Sequence, residues 1–306
     1  MIDAPRDVHL AIIRKHYPGI ALDQMMHDAG GEHYISVVDT SVVFRFPQIP
    51  RTISAVRGDA IEWLVATGTV PFSLPTCEIH HDREFDLWFE RTRYLPGVPF
   101  MPEVAATFST EKLLTVARHM GAFLSALHGL PLGPARERGM DEMDPSDFWD
   151  YMESNPNAYP RVRRTLWPLL PLKERAWIER LFERFIAQAR KAPLPLVIRH
   201  NDMFPYHIIV DPVTHKISGV VDFSWRIADP AGDFKAFEYY GPAFIDEVYT
   251  HYHHPVDPGF DSRRLFYTGH DQVFGLVRAL DTGDMARITR RRDSLSTYIH
   301  EHPDAV

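Results

Sequence analysis

The sequence predicts an α+β fold in which a small, strand-rich lobe is followed by a larger helical lobe. Short β-branched and aromatic runs, separated by turn residues, dominate the first third of the 306-residue chain. From residue 109 onward, apolar residues recur at helical spacing over long segments. A chain of this length can bury a substantial core, either as one large domain or as two lobes.

The strand-rich part begins with a predicted hairpin. Residues 34–38 and 41–46 are β-branched and aromatic, and Asp39 and Thr40 separate them as turn residues. The elements predicted after it are, in order, a helix over 54–66 that ends near Gly68, extended chain over 70–79 and a strand over 85–92. A proline and glycine cluster at 94–99 is the candidate hinge. We therefore expect an N-terminal lobe over residues 1–93 and a C-terminal lobe over residues 94–306.

The helical part contains two long amphipathic segments. Residues 110–128 place their apolar side chains on one face, and Ser109 is a suitable N-cap. Residues 172–191 are predicted to form a second long helix. Between them, residues 141–170 indicate short helical pieces rich in aromatic and acidic residues, which could cover a cleft.

Composition excludes several classes of function. The net charge is −8 and the 41 acidic residues are scattered, which argues against binding to nucleic acid or an anionic membrane and allows a cationic substrate. There is no apolar run of membrane-spanning length, and the first ten residues do not resemble a signal peptide. Cys77 is the single cysteine, so an internal disulfide is impossible and a reducing compartment fits best. We expect a cytoplasmic protein.

The histidines do not indicate a zinc enzyme. There are 17 of them, with clusters at residues 80–81 and 251–254. Neither cluster has the pair of histidines four residues apart, with an intervening glutamate, that is typical of zinc hydrolases. A histidine-rich metallohydrolase remains a weaker alternative.

The stretch over residues 196–237 carries the most chemical information. An apolar run precedes Asp202, and a predicted strand pair follows, over 208–210 and 217–221, with Asp222 at its end. Phosphoryl transfer needs a carboxylate that orients the attacking hydroxyl and accepts its proton, together with magnesium on the phosphate oxygens. Asp202 suits the first role. Asp222 suits the second, because magnesium prefers carboxylate oxygen, and His207 could complete the protein ligands.

This stretch resembles the active-site signature of the aminoglycoside and macrolide phosphotransferases. The matching text is H-N-D-x-x-x-x-H at 200–207, V-V-D-F at 220–223 and D-P-x-x-D-F at 229–234. The family's usual pattern is H-G-D-x-x-x-x-N followed by I-D and D-P-x-x-D. Histidine at position 207 in place of asparagine is similar to the aminoglycoside 2''-phosphotransferase and macrolide branch, although magnesium seldom takes imidazole.

The resemblance implies a fold, a cofactor and a set of roles. The fold is protein-kinase-like and two-lobed, with ATP or GTP and Mg²⁺ in the cleft between the lobes. Asp202 would be the catalytic base, and His207 and Asp222 would bind magnesium. The residues implied to have structural roles in the site are His200, Asp229 and Asp233.

The N-terminal region resembles the same branch more loosely. The glycine turn at 30–32 precedes the hairpin, and Arg45 stands where F-[KR]-F-P supplies a phosphate-binding cation. Arginine can bind two oxygens at once, so its geometry differs from that of lysine. The acid that pairs with Arg45 is expected to be Asp59, with Glu62 as the alternative. By resemblance, residues 90–94 form the purine-binding hinge, with Arg91, Thr92 and Tyr94 as the nucleotide-binding positions.

The acceptor is the least determined part of the prediction. The resemblance favours a hydroxylated, cationic small molecule, most plausibly an aminoglycoside, with a macrolide, choline or another hydroxylated metabolite as the alternative. Candidate substrate-binding acids are Asp147, Glu238 and Asp271. A hypothesis from another class is a nucleotide-binding pseudokinase, supported by the departures at Arg45 and His207.

Overall fold

The computed structural model describes residues 4–22, 26–29, 33–49, 53, 56–191 and 194–303. The glycine turn at 30–32 lies outside these residues. The chain divides into two compact units, the first of which comprises Met1–Ala126 and Pro205–Phe223. The second comprises Leu127–Phe204 and Ser224–Val306. The lobe boundary expected between residues 93 and 94 stays a prediction.

The first unit contains a five-stranded antiparallel sheet with the strand order β1-β2-β3-β5-β4. Its strands are β1 (Met26–Ala29), β2 (His33–Val38), β3 (Val42–Pro47), β4 (Cys77–Asp82) and β5 (Leu87–Arg93). The predicted hairpin is confirmed, since β2 and β3 pair antiparallel. Three residues connect the strands, and Asp39 and Thr40 among them have φ values of 50° and 47°, in the left-handed region.

Four helices lie in the described part of the chain up to residue 128. They are α1 (Ala4–His16), α2 (Val56–Ala66), α3 (Pro102–Ala105) and α4 (Thr110–His128). The bounds predicted for α4 are confirmed, and the amide of Leu113 donates to the carbonyl of Ser109 at its start. The sequence did not predict α1. Its apolar face is short, but Ile12 and Ile13 are fully buried in the core formed with β2, β3 and β5.

A small three-stranded sheet completes the first unit. Its strands are β6 (Val98–Pro99), β8 (Ile208–Asp211) and β9 (Lys216–Val220), in the order β6-β8-β9. The strand pair predicted from residues 208–221 is confirmed, with Asp222 just after β9. The predicted extended segment 70–79 is a strand only from Cys77. Its earlier part is irregular and forms a single bridge, from Ser73 to Gly219.

The second unit is largely helical. Its elements are α5 (Leu132–Glu137), α6 (Pro145–Ser154), α7 (Tyr159–Leu166), α8 (Leu172–Ala189), β7 (Val197–Arg199), β10 (Arg226–Ala228), α9 (Pro242–Thr250), α10 (Phe260–Thr282) and α11 (Met285–Glu301). β7 and β10 pair antiparallel. The core lies among α7, α8, α10 and α11, where Phe182, Phe185 and Phe266 pack as a buried aromatic cluster. The helix predicted from residue 172 is confirmed as α8.

Among the residues that the structure describes, no helix is both long enough and apolar enough to cross a membrane.

Candidate active site

Arg45 is held between two carboxylates in the first unit. It lies on β3 opposite Glu90 of β5, and its Nη1 is 3.5 Å from Glu90 Oε2. Its Nη2 donates to Asp222 Oδ1 at 2.5 Å. Burial lowers the pKa of Arg45, but the two carboxylates outweigh burial and raise it. The guanidinium therefore stays charged although it is largely removed from water.

Sequence reasoning missed Glu90 as a partner of Arg45. Asp59, the acid expected to pair with it, lies in the first turn of α2, and that pairing stays a prediction. The signal for Glu90 was the sheet register, which cannot be derived from spacing along the chain alone. Once β3 and β5 are neighbours, Arg45 and Glu90 stand directly opposite each other and their side chains meet.

Asp222 is the point at which two first-unit groups, Arg45 and His207, meet. Its Oδ2 lies 3.2 Å from Nε2 of His207, and its Oδ1 accepts from Arg45. Burial raises the pKa of the carboxyl, but the hydrogen bond from His207 and the charge of Arg45 lower it well below the ordinary range. Asp222 is therefore a carboxylate at any physiological pH.

The local backbone directs both side chains to the same place. His207 ends a short 3₁₀ turn, Pro205–His207, immediately before β8. Its carbonyl accepts from the amide of Val221, at 2.9 Å, beyond the end of β9. Asp222 follows with φ of 62°, a left-handed conformation that is uncommon for residues other than glycine. His207 and Asp222 can each present one ligand atom to a metal ion.

The loop that carries Asp202 belongs to the second unit and follows β7. The amides of His200 and Asn201 donate to Asp233 at 2.7 and 3.0 Å. The amide of Asp202 donates to Nδ1 of His200 at 3.2 Å, and His200 is fully buried. Because Nδ1 accepts that hydrogen bond, His200 carries its proton on Nε2 when it is neutral. The amides of three consecutive residues, from His200 to Asp202, are thus held by fixed partners.

Asp233 is the buried anchor of this loop. Besides the two amides, its carboxylate accepts from Nε of Arg199 at 3.2 Å and lies 3.3 Å from Nε2 of His128. Burial raises the pKa of Asp233, but the charge of Arg199 and the hydrogen bond from His128 lower it well below its usual range. Nδ1 of His128 lies 2.8 Å from the hydroxyl of Tyr252. Burial also lowers the pKa of His128, so its neutral ring donates to Asp233 and accepts from Tyr252.

Asp229 has a separate set of partners. It caps the 3₁₀ turn Pro230–Asp233 by accepting from the amide of Ala231, and it accepts from Nε of Arg263 at 2.8 Å. Arg263 is 1% exposed and also makes a two-pronged contact with Asp257. The sequence did not single out Arg199, Arg263 or His128. Arg199 stands directly before the H-N-D motif, whereas the other two are brought in by folding.

The predicted nucleotide-binding positions lie on β5 and just beyond it. Arg91 Nη1 donates to Glu78 at 2.7 Å, and Thr92 pairs with neighbours on both sides of β5. The amide of Tyr94 donates to the carbonyl of Ser41 at 3.0 Å. That amide is engaged in the sheet, so a purine at this hinge would use other backbone groups.

The predicted substrate-binding acids are spread over the second unit. Asp147 is exposed on α6. Glu238 forms ion pairs with Arg264 and His302, the latter at 3.8 Å. Asp271 lies 2.6 Å from Nζ of Lys235. The charges of Glu238 and Asp271 are thus already balanced by cations of the same chain.

Comparison with known proteins identifies the family. The model of the phosphotransferase enzyme family matches residues 32–266, which is most of the chain. The comparison with curated proteins finds none that matches.

Solved structures of similar fold include three antibiotic phosphotransferases. One is the GDP and kanamycin complex of APH(2'')-IIIa, at 18% identity and a TM-score of 0.78, covering 96% of this chain and 99% of that one. Another is the gentamicin complex of APH(2'')-IIa, at 15% identity and a TM-score of 0.66, covering 96% and 97%. A macrolide 2'-phosphotransferase of type I has 19% identity and a TM-score of 0.65, covering 96% and 98%.

These matches confirm the α+β, protein-kinase-like fold class and the family that were predicted from the motifs at 200–234. The roles assigned to single residues stay predictions. The chain belongs to the phosphotransferase enzyme family.

Proposed function

We propose that this protein transfers the γ-phosphoryl group of ATP or GTP to a hydroxyl group of a small molecule. The observation that carries the proposal is the carboxylate of Asp222, which has Arg45 on one oxygen and His207 on the other. An ionised carboxylate beside a charged guanidinium is what a metal-bound triphosphate requires from a protein. Family membership supplies the reaction type.

The side chains fit a magnesium ion. Asp222 offers the hard carboxylate oxygen that Mg²⁺ prefers, and the low pKa of this carboxyl keeps it ionised. His207 is a less usual ligand, but its Nε2 faces Asp222. Asp222 and His207 would hold the ion, which when bound would offset the charge that develops on the phosphate oxygens. Arg45 would supply a further positive charge to the phosphates.

Asp202 is proposed to act on the acceptor. Its carboxylate would hold the attacking hydroxyl and accept its proton as the new O–P bond forms. The bond between the γ-phosphorus and the bridging oxygen breaks, and the nucleoside diphosphate leaves. The hydrogen bonds of His200 and Asp233 to the loop backbone support this role, because a base must be fixed in position before the acceptor arrives.

The donor and the acceptor are less narrowly supported. Similar folds have been solved with GDP and with ATP bound, so both nucleotides belong in any test. Related structures are named for aminoglycosides and macrolides, which makes those antibiotics the first acceptors to assay. The ion pairs of Glu238 and Asp271 weaken the case for a purely cationic acceptor.

The test is Asp202→Asn, assayed with ATP and GTP over a panel of antibiotics and hydroxylated metabolites. A positioned base contributes about 10²- to 10⁴-fold, so kcat should fall by that factor while nucleotide affinity changes little. Asp39→Asn, at an exposed hairpin turn, is the matched control and should keep wild-type rates. Wild-type turnover by the Asp202 variant would show that another group serves as the base. Nucleotide binding without turnover in the native protein would favour the pseudokinase.

A further inference from the structure

A cluster of arginines on α11 lines a cavity that the proposed mechanism does not use. Arg287, Arg290, Arg291 and Ser294 line this cavity, which is open to solvent and has a volume of about 310 Å³. Their spacing along the helix is i, i+3, i+4 and i+7, so all four lie on one face. The face packs beside α10, where the guanidinium of Arg291 lies over Gly275, the nearest approach being 3.4 Å from the position of an added Cβ.

The positive charge of this face is not balanced within the part of the chain that the structure describes. Across those residues, no carboxylate forms an ion pair with Arg287, Arg290 or Arg291. The next residue shows the contrast, because Nη2 of Arg292 lies 2.9 Å from Glu174. Like charges three and four residues apart repel each other on a helix. Arg287 also lies in the first turn of α11, where the helix dipole disfavours a cation.

The arginine cavity is linked by side-chain contacts to Tyr239, which lies in the 3₁₀ turn Lys235–Tyr240. Ser294 donates to Oε1 of Gln272 at 2.8 Å, and Nε2 of Gln272 donates to the hydroxyl of Tyr239 at 3.3 Å. The charge of Arg291 is near enough to lower the pKa of Tyr239, although burial outweighs it and raises that pKa overall. Tyr239 itself is partly exposed to solvent.

The same contacts continue to the loop itself. Asp271 adjoins Gln272 and lies 2.6 Å from Lys235. Nζ of Lys235 lies 4.0 Å from the centre of the Phe204 ring, and Phe204 is two residues after Asp202. All of these residues belong to the second unit. Side-chain contacts, together with the backbone between Asp271 and Gln272, therefore lead from the arginine cavity to Phe204, on the loop that carries the proposed base.

We propose that the arginine cavity binds an oxyanion, a phosphate or carboxylate group, that the acceptor molecule carries. A guanidinium group can donate two parallel hydrogen bonds to two oxygens of a carboxylate or a phosphate. The inference rests on the proposed function and specifies its acceptor. It replaces the cationic acceptor expected from the sequence, since the acids expected to bind a cation are paired and these arginines are not.

The first experiment measures binding of inorganic phosphate to the whole protein by calorimetry, at constant ionic strength and without nucleotide. The double variant R290Q/R291Q should weaken phosphate binding by about tenfold or more, because it removes two charge-assisted contacts. The control is Arg278→Gln, an exposed arginine of α10, which should bind like the native protein. Equal affinity in all three proteins would overturn the proposal.

The second experiment asks whether the anion belongs to the acceptor. Glycerol and glycerol 3-phosphate, galactose and galacturonate, and kanamycin as a cationic compound are assayed for nucleotide-dependent phosphorylation. The oxyanion-bearing member of a pair should be preferred, and R290Q/R291Q should raise its KM about tenfold with kcat nearly unchanged.

The outcomes separate this inference from the proposed function. Phosphorylation of kanamycin alone, or of both members of each pair with equal KM, overturns the oxyanion-bearing acceptor and leaves phosphotransfer intact. Loss of phosphate binding in the variant, with no phosphorylation of any compound, supports the anion cavity but overturns its link to an acceptor. Asp202→Asn then tells whether any residual nucleotide turnover depends on the proposed base.

Discussion

Replacing Asp233 by asparagine tests how the loop that carries Asp202 is held. The carboxylate of Asp233 is fully buried and accepts hydrogen bonds from the amides of His200 and Asn201. It also balances the charge of Arg199, whose side chain is 6% exposed. Asparagine keeps the shape of the side chain but removes its charge. Its NH₂ group would also face the backbone amides and the Arg199 guanidinium, which are themselves hydrogen-bond donors.

The expected loss of stability follows from the buried pair. Removing one partner of a buried ion pair leaves the other charge uncompensated and costs about 3–5 kcal/mol. For a unit of this size, each kcal/mol lowers the melting temperature by about 2–4 °C, so Asp233→Asn should melt roughly 6–20 °C lower. Differential scanning calorimetry measures this shift. Asp39→Asn, the exposed control, should melt within about 1 °C of the native protein because surface substitutions seldom exceed a few tenths of a kcal/mol.

The pH dependence supplies a second check on the same contact. The pKa of Asp233 is lower in the folded protein than in the unfolded chain, so its contribution is present above the unfolded pKa of about 3.9. It is lost as the pH falls through the folded pKa. The difference in melting temperature between native protein and variant should therefore be constant near neutral pH and shrink below about pH 4. A variant that melts like the native protein at pH 7 would refute the anchoring role.

Two further predictions concern the residues beside the proposed chemistry. Arg45→Met should raise the KM for the nucleotide by about tenfold, since one charge-assisted contact to phosphate is lost. It should also raise the pKa of Asp222 towards that of an ordinary carboxyl. Steady-state kinetics and NMR titration measure these two effects, and an unchanged KM for the nucleotide would count against a phosphate contact. Asn201→Gly should be tolerated, whereas Asn201→Val should lower the free energy of unfolding by about 1–2 kcal/mol, because φ at this position is 65°. Thermal unfolding distinguishes the two variants. Equal stability of both would contradict the conformational argument.

Much of the fold could be predicted because local patterns agreed with the final structure. The hairpin of β2 and β3 has an alternating β-rich sequence and turn residues that tolerate positive φ. The helix α4 has a long apolar face and a suitable cap. By contrast, α1 was missed, because the apolar side that it buries against the sheet is small and gives only a weak pattern in the sequence. Its helical state is thus a consequence of tertiary packing rather than of a strong local signal.

The candidate site divides in the same way. Residues 200–234 carry a motif, so Asp202, His207 and Asp222 could be predicted as site residues from the sequence. The partners that hold them could not. Glu90 meets Arg45 through strand register, and His128 meets Asp233 across more than a hundred residues of sequence. Such contacts arise from topology, which no single-sequence pattern encodes.

Two residues with proposed roles, or next to one, have backbone conformations that surrounding contacts must enforce. Asn201 precedes the proposed base, Asp222 is the proposed metal ligand, and both adopt positive φ without being glycine. Such conformations cost free energy and persist only where surrounding contacts enforce them. At Asn201 the enforcing contact is the buried Asp233, and at Asp222 the flanking contact is the hydrogen bond between Val221 and His207. The usual family motif has glycine at the position of Asn201, which fits a site that requires this conformation more than any particular side chain. The position of Asp202 is therefore set by a strained turn and its buried anchor, and this is why Asp233→Asn should affect catalysis as well as stability.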